Sequence, residues 1–307
     1  MIALLLARQI AELFLIIFLG FVLVRLKLLK TEDSKVLSTI ALYVINPCVI
    51  INSFQIEYSE NIRNGLILSF AVALVVHVVY IVGVRIAGRA FQLDSVEKAS
   101  IIYTNAGNLI IPIVLALFGK EWLVYTSGYI VVQTIFMWSH GRMMICEEKH
   151  VNIRKILMNI NMLASFIGIF MFVFQIHFPD MILDTMESLT NMIGPMCMLV
   201  AGMIIAGMDL KKTFGFRRIY LVTFLKMIVF PLIALAMVKF SHIQRLVENG
   251  DTVMLISLLA CISPTAASIT QMTQIYNKNS EYASAIYFLT TLVCIATMPV
   301  IVWLYQY

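Results

Sequence analysis

The chain has 307 residues, of which 61% are hydrophobic and only 13% are charged, whereas soluble domains contain about 25% charged residues. With a mean hydropathy of +0.93, this composition excludes a soluble globular protein and indicates an integral membrane protein. A transmembrane barrel is excluded as well, because barrel strands alternate apolar and polar residues over about ten positions and these apolar runs are about twice as long.

Ten apolar segments are long enough to span a bilayer, which takes about 20 helical residues. Helices are required, because lipid offers no hydrogen-bond partner to an open backbone. The linkers are too short for a second, soluble domain. The first segment has no basic n-region and no small-residue cleavage site, so we expect a retained span and not a signal peptide. The predicted spans are residues 2–26, 35–55, 64–88, 95–118, 121–144, 154–176, 182–208, 218–240, 252–275 and 281–304.

The distribution of Lys and Arg predicts the orientation, since these residues favour cytoplasmic loops. Of the 22, sixteen lie in one alternating set of loops, four lie in the other set and two lie within spans. We therefore expect a multi-pass protein of the cell's inner (plasma) membrane with both termini outside. The net charge of +5 then reflects topology and attraction to the anionic inner leaflet, and no nucleic-acid partner is expected.

Cysteine and histidine give no sign of a metal site. The five cysteines have no CxxC spacing, four of them fall within spans, and the five histidines do not cluster. Metalloprotease, phosphate-loop and dinucleotide fingerprints are missing. No predicted span contains the paired central carboxylates that an intramembrane hydrolase of the aspartyl type would need. We therefore expect no metal, no cofactor and no enzymatic activity.

Four prolines interrupt the spans in a paired pattern. Pro47 lies in "VINPCVI" of span two and Pro112 in "NAGNLIIP" of span four. Pro195 lies in "NMIGPMC" of span seven and Pro264 in "CISPTAASIT" of span nine. Spans two and four thus recur as seven and nine, which predicts two repeats of five helices. Because five is odd, the second repeat must enter the membrane from the opposite side. The predicted units are residues 1–145 and 154–307, joined by a short cytoplasmic linker at 146–153.

Matched, interrupted spans in inverted repeats indicate the substrate site of a secondary transporter. Proline lacks an amide proton and clashes with the preceding turn, and Gly107 lowers the cost of unwinding. Freed backbone groups at mid-membrane depth are tolerated only where protein or a water-filled cavity satisfies them. Two half-helices that meet there direct their positive N-terminal ends to one place, which suits an anion. The helix breaks are predicted at Pro47, Pro112, Pro195 and Pro264.

Polar side chains beside the breaks are candidate ligands of the substrate. Asn105 and Asn108 are alternatively interhelical hydrogen-bonding groups, each contributing around half to two kcal/mol. The hydroxyls of span nine are alternatively bonded back to their own helix. The candidates in the two spans are Asn105, Gly107, Asn108, Ser263, Pro264, Thr265 and Ser268.

Three stretches resemble the auxin efflux carrier family, which includes plant and bacterial carriers. They are "YTNAGNLIIPIVLALFG" in span four, "EDSKVLSTIALYVINPCVIINSF" in span two and "SPTAASITQMTQIYNKNSEYASAIYFLTTLVCIATMPVIVWL" in spans nine and ten. The most specific element is Asn-Ala-Gly-Asn followed by proline. The likeness covers nearly the whole chain.

The resemblance implies a fold of ten helices in two inverted repeats. Its scaffold comes from spans one, two, six and seven, its transport domain comes from spans three to five and eight to ten, and a homodimer forms through the scaffold. Family members export organic acid anions, and alternating access moves the crossing of the broken helices four and nine. Gln133 stands where relatives often carry an Asn that faces the substrate, and its longer amide leaves the size of the anion open. The other matching positions are Asn105, Gly107, Asn108, Pro112 and Pro264.

Among the ionisable residues inside spans, where charge is costly and usually functional, Lys226, Glu12 and His77 are the candidates for a role. Lys226 in span eight either extends to the inner surface or attracts an anion. Glu12 in span one either pairs with Arg8 one turn earlier or carries a proton. His77 in span three is expected to be a packed, neutral core residue, with a charge or proton role as the alternative.

The sequence therefore predicts a secondary carrier of small organic anions such as carboxylates, with export favoured over import. A sodium- or proton-coupled symporter of the bile-acid type shares the architecture, but more carboxylates and hydroxyls would be expected around its crossing. A channel and a ligand-sensing receptor built on a carrier fold are the remaining alternatives.

Overall fold

The computed structural model describes residues 2–147, 154, 157–209 and 214–306. Regular structure in these ranges is helical, and the pair Thr104 and Thr265 forms the one β-bridge among the described residues. The all-α class predicted from composition is confirmed. Residues 148–153 of the predicted linker lie outside the described ranges.

In the first half of the chain, three of the α-helices are directly preceded by a single π-helical turn. These turns are Ala41–Ile45, Ala106–Ile110 and Met137–Gly141. The described α-helices are α1 (Ile2–Arg25), α2 (Ser34–Ile40), α3 (Asn46–Ser53), α4 (Glu60–Ala90), α5 (Ser95–Ile102), α6 (Ile111–Leu117), α7 (Leu123–Phe136) and α8 (Arg142–Cys146).

The second half is built in the same way, with a π-helical turn at Leu225–Val229. The described α-helices are α9 (Ile160–Phe174), α10 (Asp180–Ala206), α11 (Arg217–Phe224), α12 (Phe230–Ser241), α13 (Gly250–Ile262), α14 (Ala267–Ile275) and α15 (Ser280–Gln306).

Six helical stretches in the described part of the chain are long and apolar enough to cross a membrane. They are Leu4–Arg25, Thr31–Ser53, α4, α10, Arg217–Ser241 and α15. Shorter apolar helices include α9 and α13. Large apolar side chains such as Phe170 and Phe174 on α9 are exposed, at 54% and 63%, as expected for side chains that face lipid. The chain is a multi-pass membrane protein.

Helices α1 and α10 pack in close contact at two glycines. A Cβ atom at Gly202 would overlap the backbone carbonyl of Ile17, and one at Gly20 would overlap the carbonyl of Leu199. Only glycine lets the two backbones approach so closely, and small residues mark such contacts between membrane helices. The predicted spans one and seven are therefore a tightly packed pair.

Three of the four described π-helical turns precede a proline in the second position of the following α-helix. Pro47 follows Ala41–Ile45, Pro112 follows Ala106–Ile110, and Pro231 follows Leu225–Val229. Proline has no amide proton and its ring clashes with the carbonyl four residues earlier. The wider π-helical turn accommodates that clash without ending the helix.

Three of the four predicted helix breaks, those at Pro47, Pro112 and Pro195, are therefore wrong in position, and at Pro112 the π-helical turn leads directly into α6. At Pro47 the helix continues from the π-helical turn into α3. Pro195 lies inside α10, which runs without interruption from Asp180 to Ala206. A single missing hydrogen bond does not end a membrane helix, because neighbouring helices and local adjustments satisfy the freed carbonyl.

A polar network joins three helices near one end of the bundle. The carboxylate of Glu97 is the only buried acidic side chain among the described residues. It accepts hydrogen bonds from Arg218 at 2.7 and 2.8 Å and from the Tyr282 hydroxyl at 2.7 Å. Asp94 and Glu97 also form a capping box at the start of α5. The network fixes the first turns of α5, α11 and α15 relative to one another.

Candidate functional site

Two extended segments cross in the interior, between α5 and the following π-helical turn and between α13 and α14. The amide of Asn105 donates to the carbonyl of Pro264 at 2.8 Å, and the amide of Ala266 donates to the carbonyl of Tyr103 at 3.0 Å. Thr104 and Thr265 face each other in this antiparallel bridge. Residues of the predicted spans four and nine therefore meet through their backbones.

The two breaks arise differently. In span nine, the helix ends at Ile262 and Ser263 is extended at φ −69° and ψ 158°, as the residue before a proline usually is. In span four, the helix ends at Ile102, and Tyr103 is extended at φ −91° and ψ 131°. That break lies well before Pro112, which follows the π-helical turn. The prediction of a break at Pro264 is confirmed, and the break in span four lies upstream of its proline.

Backbone groups freed by the breaks find new partners across the crossing. In an unbroken helix the carbonyl of Ser100 would accept from the amide of Thr104. It accepts instead from the Thr265 hydroxyl at 2.9 Å. The amide of Thr265 donates to the Thr290 hydroxyl on α15 at 3.3 Å. The interior thus tolerates two open stretches of backbone because polar groups of neighbouring segments satisfy them.

Gln133, on α7, is buried, with 6% of its surface exposed. Both ends of its side-chain amide bond Thr104. The amide that the resemblance places against the substrate therefore supports the crossing backbone. Thr104 directly precedes the Asn-Ala-Gly-Asn stretch, but no sequence pattern identifies it as a site residue, because its role depends on the distant partner Gln133.

Open space lies at the start of the second half-helix of span four. A Cβ atom at Gly107 would meet no atom within 4 Å, and Gly107 and Asn108 are both half-buried. The first amides of a helix have no partner within the helix and carry partial positive charge. The Asn105 side chain is buried beside this end and lies near the Tyr287 hydroxyl. The geometry offers donors and room for a small anion.

The hydroxyls of span nine separate into two groups. Ser263 donates to the carbonyl of Ala260 at 3.0 Å, back to its own helix. Thr265 is fully buried and bonds Ser100. The contact of Ser263 agrees with a hydroxyl bonded back to its own helix, whereas the contact of Thr265 crosses to span four. Ser268, in the first turn of α14, is half-buried and is the hydroxyl among the three that keeps some exposure.

Glu12 and Arg8 form the predicted pair on α1, with 3.1 Å between Arg8 Nε and Glu12 Oε1. Glu12 also lines a cavity of about 330 Å³ between α1, α6 and α10. Its walls include Pro112 on α6 and both Asn191 and Pro195 on α10. Pro112 and Pro195, both predicted as helix breaks, therefore line the same cavity. Of the two, only Pro112 lies in a span that is broken.

His77 is a packed core residue in the structure. Only 1% of its surface is exposed, and its ring stacks on Phe136 at 5.4 Å between centroids. Its Nδ1 lies 2.7 Å from the carbonyl of Ala73. This geometry agrees with the packed core residue that the sequence favours.

Lys226 has no exposed surface. Its Nζ lies 2.9 Å from the carbonyl of Ile101 and 3.4 Å from that of Tyr103. The expectation that its ammonium extends to the inner surface is therefore wrong. Carbonyls at the broken end of α5 offer hydrogen bonds that keep the side chain inside.

Comparison with models of protein families gives a match over nearly the whole chain. The family model described as membrane transport protein matches residues 5–302. None of the curated proteins matches the chain. Among the described residues, no group of three or more His, Cys, Asp or Glu side chains is placed to hold a metal ion.

Proposed function

The chain belongs to the membrane transport protein family, and we propose that it is a secondary carrier that exports small organic acid anions by alternating access. The resemblance to the auxin efflux carriers is confirmed by this membership. The family is one of transporters and not of enzymes. The identity of the anion, the direction and the mechanism are our proposal.

The observation that supports the proposal most directly is the crossing itself. The hydrogen bond from Asn105 to Pro264 joins two broken segments inside the bundle. Transporters commonly bind substrate and coupling ions where such broken helices meet. Beside the crossing, the open space at Gly107 adjoins the N-terminal end of a half-helix. A carboxylate fits there, because amide donors and the helix dipole both favour negative charge.

The charges around the crossing also favour an anion over a cation. Glu97 is the only buried acid among the described residues, and Arg218 and Tyr282 already engage its carboxylate. The described residues therefore offer no second buried carboxylate to hold a metal ion or an organic cation.

We further propose that the helices form two inverted repeats of five. In this arrangement α1, α2, α3, α9 and α10 are the scaffold, and the remaining described helices are the transport domain. The glycine contacts of α1 with α10 support a rigid scaffold. The crossing would move against the scaffold, both termini would lie outside the plasma membrane, and a homodimer would form through the scaffold.

Flux from proteoliposomes tests the proposal. A potential that is negative inside drives an anion outward with about 2.3 kcal/mol per charge per 100 mV. Vesicles loaded with a radiolabelled carboxylate should release it under a valinomycin-induced potential, without sodium, and vesicles without protein should not. The carboxylate is chosen beforehand by thermal shift among monocarboxylates, dicarboxylates and indole acids, because a bound ligand raises the stability of the native state. A requirement for a sodium gradient, or a preference for organic cations, would contradict the proposal.

Glu12 is the residue with which coupling of anion transport to a proton is tested. Its carboxylate is half-exposed and already paired with Arg8, which disfavours a role as an obligatory proton carrier. Glu12→Gln should keep the potential-driven flux. Loss of flux in this variant, with an unchanged melting temperature, would indicate proton coupling instead.

A further inference from the structure

The break after α5 leaves one carbonyl whose replacement partner is a lysine. In an unbroken helix the carbonyl of Ile101 would accept from the amide of Asn105. That amide donates to Pro264 at 2.8 Å instead. The carbonyl of Ile101 accepts from Lys226 Nζ at 2.9 Å. Lys226 therefore takes the place of a backbone amide that the crossing has removed.

Lys226 reaches this position from a separate helix. It lies in the π-helical turn between α11 and α12, and its side chain is completely buried. Its Nζ also lies 3.4 Å from the carbonyl of Tyr103, which accepts the amide of Ala266 at 3.0 Å. One ammonium group thus contacts the end of α5 at the residue that pairs with span nine.

The two atoms that the Nζ atom contacts are backbone carbonyl oxygens, which accept hydrogen bonds. The carbonyl end of a helix carries partial negative charge, and carbonyls of unwound helices are the groups that coordinate Na⁺ in many transporters with broken helices. Glu97, the only buried acid in the described part of the chain, is engaged by Arg218 and Tyr282.

We propose that Lys226 is a positioning residue whose ammonium replaces a coupling cation at the crossing. It holds the carbonyl end of α5 against span nine, so that the substrate site forms without sodium. This inference rests on the proposed carrier function. It assigns Lys226 no contact with the substrate.

Two variants separate charge from volume. Lys226→Ala removes the ammonium and leaves space between the carbonyls of Ile101 and Tyr103. Lys226→Met removes the charge and keeps most of the volume, so it is the matched control. Each is titrated with NaCl and with propylammonium chloride at constant ionic strength, with N-methylglucamine as the inert cation.

We expect Lys226→Ala to lose anion flux by about tenfold or more, as for a lost hydrogen bond to a charged group. Sodium or propylammonium should restore its flux and raise its melting temperature, because either cation can enter the vacated space. Lys226→Met should lose flux similarly and respond to neither cation. The wild type should be indifferent to both.

Two results would overturn the proposal. The first is wild-type flux in Lys226→Met, which would show that the charge is not needed. The second is a folded Lys226→Ala whose flux and melting temperature respond to neither cation, which would indicate packing alone. If Lys226→Ala does not fold, flux in Lys226→Met decides. The cation response of the melting temperature needs no substrate, so it separates failure of this inference from failure of the carrier function.

Discussion

The side-chain amide of Gln133 forms three hydrogen bonds with Thr104. Its Oε1 accepts from the Thr104 amide at 3.2 Å and from the Thr104 hydroxyl at 2.6 Å, and its Nε2 donates to the Thr104 carbonyl at 2.9 Å. A side chain thus supplies both partners that the break in span four removes. Because the contact joins α7 to the crossing, Gln133 shapes the site without facing open space.

The first prediction concerns this contact. Gln133→Met leaves the amide and carbonyl of Thr104 without partners, and each buried unsatisfied group costs about 1–3 kcal/mol. We expect a lower melting temperature together with weaker anion binding. Gln271→Met, at an exposed position on α14, is the control and should change stability by less than about 0.5 kcal/mol. Unchanged stability and binding in Gln133→Met would show that the contact is dispensable.

A second prediction concerns the asparagines beside the half-helix. Asn108 is half-buried next to the open space at Gly107. Asn108→Ala should abolish most anion binding, measured by thermal shift with the carboxylate, while the melting temperature of the free protein stays nearly constant. Asn105→Ala should behave in the same way. If the melting temperature of the ligand-free protein falls together with anion binding, the asparagines are interhelical hydrogen-bonding groups.

The third prediction tests movement between the proposed scaffold and transport domain. Lys120, after α6, pairs with Glu187 on α10 at 2.7 Å, and the exposed pair itself contributes only about 0–1 kcal/mol. Cysteines at Lys120 and Glu187, joined by a short bifunctional thiol reagent, should stop anion flux. A reducible reagent should let the flux recover when it is cleaved.

The control for this cross-link lies within one proposed unit. Asn61 and Glu248 are hydrogen-bonded to each other, and both belong to the proposed transport domain. Joining cysteines at these two positions should leave flux unchanged. Equal flux before and after cross-linking of the Lys120 and Glu187 positions would contradict movement at that boundary.

A fourth prediction tests the orientation drawn from the positive charges. A Cβ atom at Gly215, two residues before α11, would meet no atom within 4 Å, so a cysteine there is sterically tolerated. In intact cells Gly215→Cys should resist a membrane-impermeant maleimide, and the exposed Glu57→Cys should react. Native cysteines are first replaced by serine. Rapid labelling of the cysteine at position 215 and protection of the one at position 57 would show that the orientation is the opposite of the predicted one.

The fifth prediction concerns the polar network at Glu97. Arg218→Met removes the charged partner of a carboxylate whose side chain is only 1% exposed. The Arg218 side chain is itself 49% exposed, so solvent screens the pair, and the Tyr282 hydroxyl remains as a partner of Glu97. We expect a loss of about 1–3 kcal/mol. The double variant Glu97→Gln with Arg218→Met should recover part of the lost stability, as measured by thermal unfolding. If the double variant is no more stable than Arg218→Met, the stability is lost because Arg218 no longer donates to the carbonyls of Phe91 and Gln92.

Sequence alone determined the class of protein and the location of the crossing. Composition dictates membrane helices, because lipid tolerates only backbone that is paired within its own segment. The break at Pro264 was predictable because proline acts locally, on its own amide and on the residue before it. Glu12 and Arg8 were predictable as a pair because four residues separate them on one helix.

Tertiary structure decided the rest. Pro47 and Pro195 have the same local chemistry as Pro264, yet their helices continue. Gln133 and Lys226 find their backbone acceptors 29 and 125 residues away, and no local pattern identifies such partners. A broken helix persists only where other segments satisfy its freed amides and carbonyls. Whether a helix breaks at a proline, and which partner a buried polar side chain binds, therefore depends on the helices that pack beside it. Only the tertiary structure determines which helices those are.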